Sequence, residues 1–117
     1  MQATNQVMQR TIEDCKECHL ICVQTIQYSI QKNDPYVTPD FLRLLEDCAQ
    51  FCQTSEDFML RGSPFSAVIC NVCAEVCDQC AVSCDQINKS TNTQLKAYAE
   101  QYRRCAESCR QMAQLRR

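Results

Sequence analysis

The sequence predicts an all-α protein, an antiparallel up-down-up-down bundle of four helices, and three observations carry that reading. Breakers are few: Gly62 is the single glycine, and the prolines are Pro35, Pro39 and Pro64. Between them run long stretches rich in Gln, Glu, Ala, Leu and Lys, all good helix formers. Each stretch repeats an inward-facing residue every three or four positions, the rhythm of a helix packed among helices. The connections are short, which sets sequential helices antiparallel.

The first helix is expected from about residue 4 to about residue 31, with an inward stripe of Met8, Ile12, Cys15, Cys18, Cys22, Thr25 and Ser29. Asn33-Asp34-Pro35 ends it, because proline disfavours helical geometry at the residue before it. The second begins at Thr38, a good N-cap, with Pro39 at the first helical position and Asp40 complementing the positive end of the dipole. Its stripe is Leu45, Cys48, Cys52, Ser55 and Met59, flanked by Phe41, Phe51 and Phe58, and Gly62 stops it. The third is expected to open at Ser63-Pro64 and continue to Ile87, and Asn88 to Asn92 reads as a polar turn. The fourth runs from about 93 to 115, with Leu95, Tyr98, Tyr102, Cys105, Cys109 and Met112 inward.

A chain of 117 residues reads as one domain, 1–117, able to bury a single core. A net charge of −2 gives no electrostatic case for nucleic acid. No apolar run approaches the roughly 18 residues of a membrane span, and the first ten residues lack the apolar region of an export signal. A cytoplasmic protein is therefore expected, with no membrane and no nucleic acid among its partners.

The outlier is cysteine, twelve in 117 residues. The third helix alone carries Cys70, Cys73, Cys77, Cys80 and Cys84, five thiols on one stripe where Leu, Ile and Val would ordinarily sit. Such spacing argues against a disulfide scaffold. Neighbouring thiols on one helix have diverging Cβ vectors, and a reducing compartment keeps them free. Folding the chain at its turns sets Cys22 near the level of Cys48, and Cys18 and Cys15 near Cys52. Cys73 and Cys77 face those levels, and Cys105 and Cys109 lie near Cys73 and Cys70. Eight to ten thiols then share one column, extended by Cys80 and Cys84 toward an end closed by Leu42, Leu45, Tyr98 and Leu95.

A sulfur column suits a soft ion. Stripe neighbours lie about 5–6 Å apart at Cβ, and two sulfurs flanking one ion in line stand roughly 4.5 Å apart for bonds near 2.3 Å. Linear or trigonal sites can therefore recur along the column. Copper(I), a soft d¹⁰ ion selected by thiolates, accepts such low coordination, so several copper(I) ions per chain are expected. Zinc asks for four ligands in a tetrahedron and would use the thiols less fully. An empty column need not unfold, since free Cys packs as a small hydrophobe. Burial raises thiol pKa values, and an arriving ion displaces the protons.

Met8, Met59 and Met112 are brought by an antiparallel bundle to one end. They read either as soft thioether ligands at a mouth through which ions pass, or as flexible gap-fillers. His19 flanks the stripe and reads either as a rim residue or as a ligand.

The chain resembles the copper storage proteins, a bacterial family of Cys-lined four-helix bundles. The resemblance rests on Cys15-x2-Cys18-x3-Cys22, Cys48-x3-Cys52, the run from Cys70 to Cys84, and Cys105-x3-Cys109, and it covers all four expected helices. It implies many copper(I) ions held by core cysteines and admitted at one end of the bundle. It also implies storage, buffering or detoxification as the role, a homo-oligomer that is often a tetramer, and the family's cytosolic branch.

Rival readings explain less. Cys15-Lys-Glu-Cys18-His19 fits the c-type haem attachment pattern but leaves ten cysteines idle. An iron–sulfur protein or another soft-metal (zinc) binder is the alternative function. The iron–sulfur run, however, has a different spacing and a following proline. No dithiol redox motif follows a strand in a βαβ unit, and a single His leaves little acid–base chemistry, so no enzyme is expected. Arg103, Arg104, Arg110, Arg116 and Arg117 read as a solvated basic face. Phe41, Phe51, Phe58, Phe65, Tyr28 and Tyr36 exceed what one narrow core needs, which leaves some for a subunit interface.

Overall fold

The computed structural model describes residues 2–33, 35, 37–87 and 93–115. Four helices follow one another: α1 (Gln2–Lys32), α2 (Pro39–Leu60), α3 (Ser66–Ile87) and α4 (Thr93–Gln114). No strand occurs among the described residues. Packing joins α1 to α2, α2 to α3, α3 to α4 and α4 back to α1, so α1 stands diagonally across from α3, and α2 from α4. The long axis measures 47 Å, close to the ~46 Å rise of a 31-residue helix, so α1 runs the length of the bundle.

Local chemistry explains the ends. The Thr38 side chain accepts the Phe41 N–H at 3.1 Å, with Pro39 and Asp40 in the first turn as expected. At the other end of α2, Gly62 adopts φ +67°, its N–H bonds the Met59 carbonyl, and the Ser63 N–H bonds that of Phe58. That is a Schellman stop built on the one residue free of a Cβ penalty. The sequence expectation for α3 needs correction. Ser63-Pro64 forms a turn rather than the first helical residues, and α3 starts at Ser66. Ser63 Oγ accepts the Phe65 N–H, and its carbonyl accepts both the N–H and the hydroxyl of Ser66, which completes a separate turn. α1 ends on Asn33 at φ +52°, a residue that tolerates the left-handed region. The turn expected at Asn88–Asn92 lies outside the described residues, as do Tyr36, Arg116 and Arg117.

The core is the sum of the four stripes. Ile12, Thr25, Ser29, Phe41, Leu45, Ser55, Met59, Leu95, Tyr98, Tyr102 and Met112 are buried with all twelve cysteines. Ala67, Ala74, Ala81, Ala99 and Ala106 are buried as well, and such small side chains let α3 and α4 approach closely. By length and composition α3 is apolar enough to cross a membrane, with mean hydropathy 1.4. The sequence expectation had found no such run. Valine, isoleucine, cysteine and alanine together supply that apolarity; in the fold the cysteines and alanines are buried, while Val68 and Val82 are exposed.

Two members of the expected basic face hold helices together rather than stand free. Arg110 bonds Asp78 at 2.6 Å, and Arg103 bonds Asp85, both across the α3–α4 seam. Of the surplus aromatics, Phe41 belongs to the core, Tyr28 meets the Tyr98 ring edge-on at 6.1 Å, and Phe65 is exposed, as are Leu60 and Val68.

Candidate metal centre

All twelve cysteines have 0% exposure, which decides that their sulfurs face inward and not toward solvent. They form a column along the bundle axis. At the end where α2 meets α3, Cys70 Sγ lies 3.9 Å from Met59 Sδ. Next, Cys15 and Cys109 approach to 3.7 Å across the α1–α4 seam, and Cys52 and Cys73 to 3.9 Å across α2–α3. Cys77 then meets Cys18 diagonally at 3.8 Å and Cys48 at 3.6 Å. Cys80 follows, 3.8 Å from the Leu44 carbonyl.

Three sets of sulfurs have every member within 4.8 Å of the others: Cys15, Cys73, Cys105 and Cys109; Cys18, Cys52, Cys77 and Cys105; and Cys18, Cys22 and Cys48. The first two share Cys105, and the last two share Cys18. Nine of the twelve thiols therefore form one linked string. The close sulfur pairs, at 3.6 to 4.0 Å, are nearer than the roughly 4.5 Å of a linear site. They fit the roughly 4.0 Å edge of a trigonal site or the roughly 3.8 Å edge of a tetrahedral one at bonds of about 2.3 Å. The resting column is thus set for three or four sulfurs per ion rather than two.

Proton affinity varies along the string. Sulfhydryl donors from Cys18, then Cys22, Cys52 and Cys77, hold Cys48 below the ordinary thiol value. Cys109, then Cys15, Cys18 and Cys52, do the same for Cys105. Cys22 is pushed up, first by its interaction with Cys18 and then by that with Cys48, and Cys109 is pushed up first by Cys105. Cys84 stands apart from the three sets. Burial pushes it up to about 12, with the Asp85 charge adding and the Arg103 charge opposing.

The string is sealed at the Cys84 end. Tyr102, fully buried, bonds the Thr25 hydroxyl at 2.8 Å, and Thr25 donates to the Ile21 carbonyl at 2.6 Å. Burial, with the charge of Cys22 next, keeps the Tyr102 phenol protonated well above its usual range. The other end is softer. Met59 and Met112 are buried, and Met8 is half-buried against the core; the Arg10–Gln111 hydrogen bond and the Met59–Cys70 contact bring the start of α1, the end of α4 and the end of α2 to that end. Ser55, on the α2 stripe between Cys52 and Met59, buries a hydroxyl with no hydrogen-bond partner among the described residues.

His19 joins none of the three sulfur sets. Its Nδ1 lies 3.2 Å from the Ala49 carbonyl, and its ring lines a shallow groove of about 310 Å³ between α1 and α2, with Val23, Ile26 and Glu46. Sequence reasoning also missed a polar seam beside Cys15. The Thr11 hydroxyl donates between the Val7 carbonyl at 2.7 Å and the Ser108 carbonyl at 3.2 Å, and the Ser108 hydroxyl donates to Asp14, whose carboxyl is pushed up by burial. Thr11 stands four residues before Cys15 on the same face of α1, and that spacing was the available signal.

Four helices closed around linked thiols define a bundle whose core is built to hold soft metal ions. A family profile described as copper storage protein matches residues 4–114, and the chain belongs to that family. Among solved structures it is similar to a Nitrosospira multiformis protein, at 40% identity and TM-score 0.84, with 95% of this chain and 98% of that one covered. It is similar to the Cu(I)-bound copper storage protein BsCsp3, at 27% identity and TM-score 0.79, over 92% and 98% of the two chains. The apo form of copper storage protein 3 from Bacillus subtilis aligns at 29% identity and TM-score 0.74, over 88% of this chain and 95% of that one. Comparison with curated proteins by sequence gave no match.

Proposed function

We propose that this chain binds several copper(I) ions through its core thiolates and stores or buffers them. The observation that carries this is the linked string of nine buried thiols, already spaced for ligation before any ion arrives. Membership of the copper storage family and likeness to a Cu(I)-bound relative point the same way. Cys70, Cys80 and Cys84 extend the capacity at either end of the string. Ions enter at the methionine end, where Met8, Met59 and Met112 pass them to Cys70 and onward. The contact between Met59 and Cys70 supports that route. His19 stays a rim residue in this reading, since its ring is engaged by the Ala49 carbonyl in the groove between α1 and α2.

The same reading makes the chain a single storage domain without catalytic activity, working in the cytoplasm with neither nucleic acid nor membrane as partner. It assembles with copies of itself, and the exposed Leu20, Val23, Ile30, Phe65 and Val68 supply apolar surface for that. Anaerobic titration of the reduced protein against a chromogenic copper(I) chelator tests the function. Several equivalents withheld from the chelator per chain are expected, and saturation at one or none rejects storage.

A further inference from the structure

The linkage of the sulfur sets has a consequence for ions other than copper(I). Cys18, Cys52, Cys77 and Cys105 come one from each helix, and Cys15, Cys73, Cys105 and Cys109 come from three. Each set offers four thiols mutually within 4.8 Å, with the closest pairs, Cys18–Cys77 at 3.8 Å and Cys15–Cys109 at 3.7 Å, at the edge length of a tetrahedral thiolate site. Four-sulfur tetrahedra are what divalent d¹⁰ ions demand, and copper(I) does not need them. We propose that these seven cysteines form a binuclear site for zinc-like divalent cations, with Cys105 as the bridging thiolate between two tetrahedra.

Cys105 is suited to bridging. It stands in both sets, with the other six sulfurs of the two sets within 4.8 Å of its own. When the ions bind, seven S–H bonds give up protons to solvent and eight metal–sulfur bonds form, two of them at Cys105. Two divalent cations against seven thiolates leave a charge of −3, so protons compete strongly and binding tightens as pH rises. The ion among Cys18, Cys52, Cys77 and Cys105 ties all four helices together, which links divalent-metal binding to stability of the bundle.

Cadmium(II) is the probe, because its thiolate charge-transfer absorption reports each ion bound. The reduced full-length chain is titrated anaerobically, with stoichiometry read by native mass spectrometry. Two ions per chain are expected, with two also in Val82→Ser, which alters an exposed side chain of α3 outside all the sets. Cys105→Ser should hold one ion or none, and Cys105→Ala the same. The alanine variant guards against a misplaced hydroxyl disturbing the core, and helicity by circular dichroism confirms that each variant folds. Fewer than two ions in the unaltered chain, or two retained by both folded Cys105 variants, overturns the bridged site.

Discussion

The hydroxyl of Tyr102 donates to Thr25 Oγ1 at 2.8 Å inside the layer that closes the thiol column, while Thr25 passes its own proton to the Ile21 carbonyl. The bond is asymmetric. Tyr102→Phe leaves Thr25 satisfied by Ile21 and should cost about 1 kcal/mol, whereas Thr25→Val strands a buried phenol and should cost about 1–3 kcal/mol. Chemical denaturation of the reduced apo protein checks the order of the two, and equal costs would refute the assigned direction.

High pH should loosen the metal-free bundle. Cys84, which belongs to none of the linked sets, has its thiol pushed up to about 12 from the ordinary 9.0 by burial. The folded state therefore keeps protons that the unfolded chain loses. The stability this contributes is complete below about pH 9 and drains away as pH rises toward 12. Thermal melts of reduced apo protein at pH 8 and pH 10.5 should show a lower midpoint at the higher value. A rise would contradict the burial.

Ser55 should be dispensable for folding. Its hydroxyl is buried and has no hydrogen-bond partner among the described residues, so Ser55→Ala removes a desolvated polar group at the expense of very little volume. The apo midpoint should hold or rise by up to about 1–2 kcal/mol of stability. A loss of more than that would mean the hydroxyl has a partner such as a bound water.

Thioethers at the mouth should govern rate rather than capacity. Met59→Leu conserves volume and should cost less than about 1.5 kcal/mol in stability, and it removes the sulfur 3.9 Å from Cys70. Stopped-flow transfer from a copper(I) chelator should slow several-fold, with the final number of ions unchanged. Unaltered kinetics in Met59→Leu, and in the triple replacement with Met8 and Met112, would leave the methionines as packing.

Much of this was legible in the sequence because one period serves both packing and chemistry. The spacing that makes Cys70 to Cys84 a core stripe also stacks their sulfurs, so burial and ligation could be read together. The caps at Thr38 and Gly62 followed from local backbone chemistry. Pro64 misled, since Ser63 can close its own turn and delay α3 to Ser66. The central place of Cys105 was not legible. Which thiol two sets share depends on helix rotation and level to within a fraction of a turn, and sequence period fixes those only to about one turn. His19 was ambiguous for the same reason, and its ring meets the Ala49 carbonyl of α2.

The most direct test is a crystal structure of the protein loaded with copper(I) under anaerobic conditions, with ions located by anomalous scattering at the copper edge. Several peaks are expected along the bundle axis, among Cys15, Cys73, Cys105 and Cys109 and onward through Cys18, Cys22 and Cys48, with three or more sulfurs around the inner ions. Peaks confined to the surface, or a core whose sulfurs stay unligated in fully loaded protein, would contradict the account.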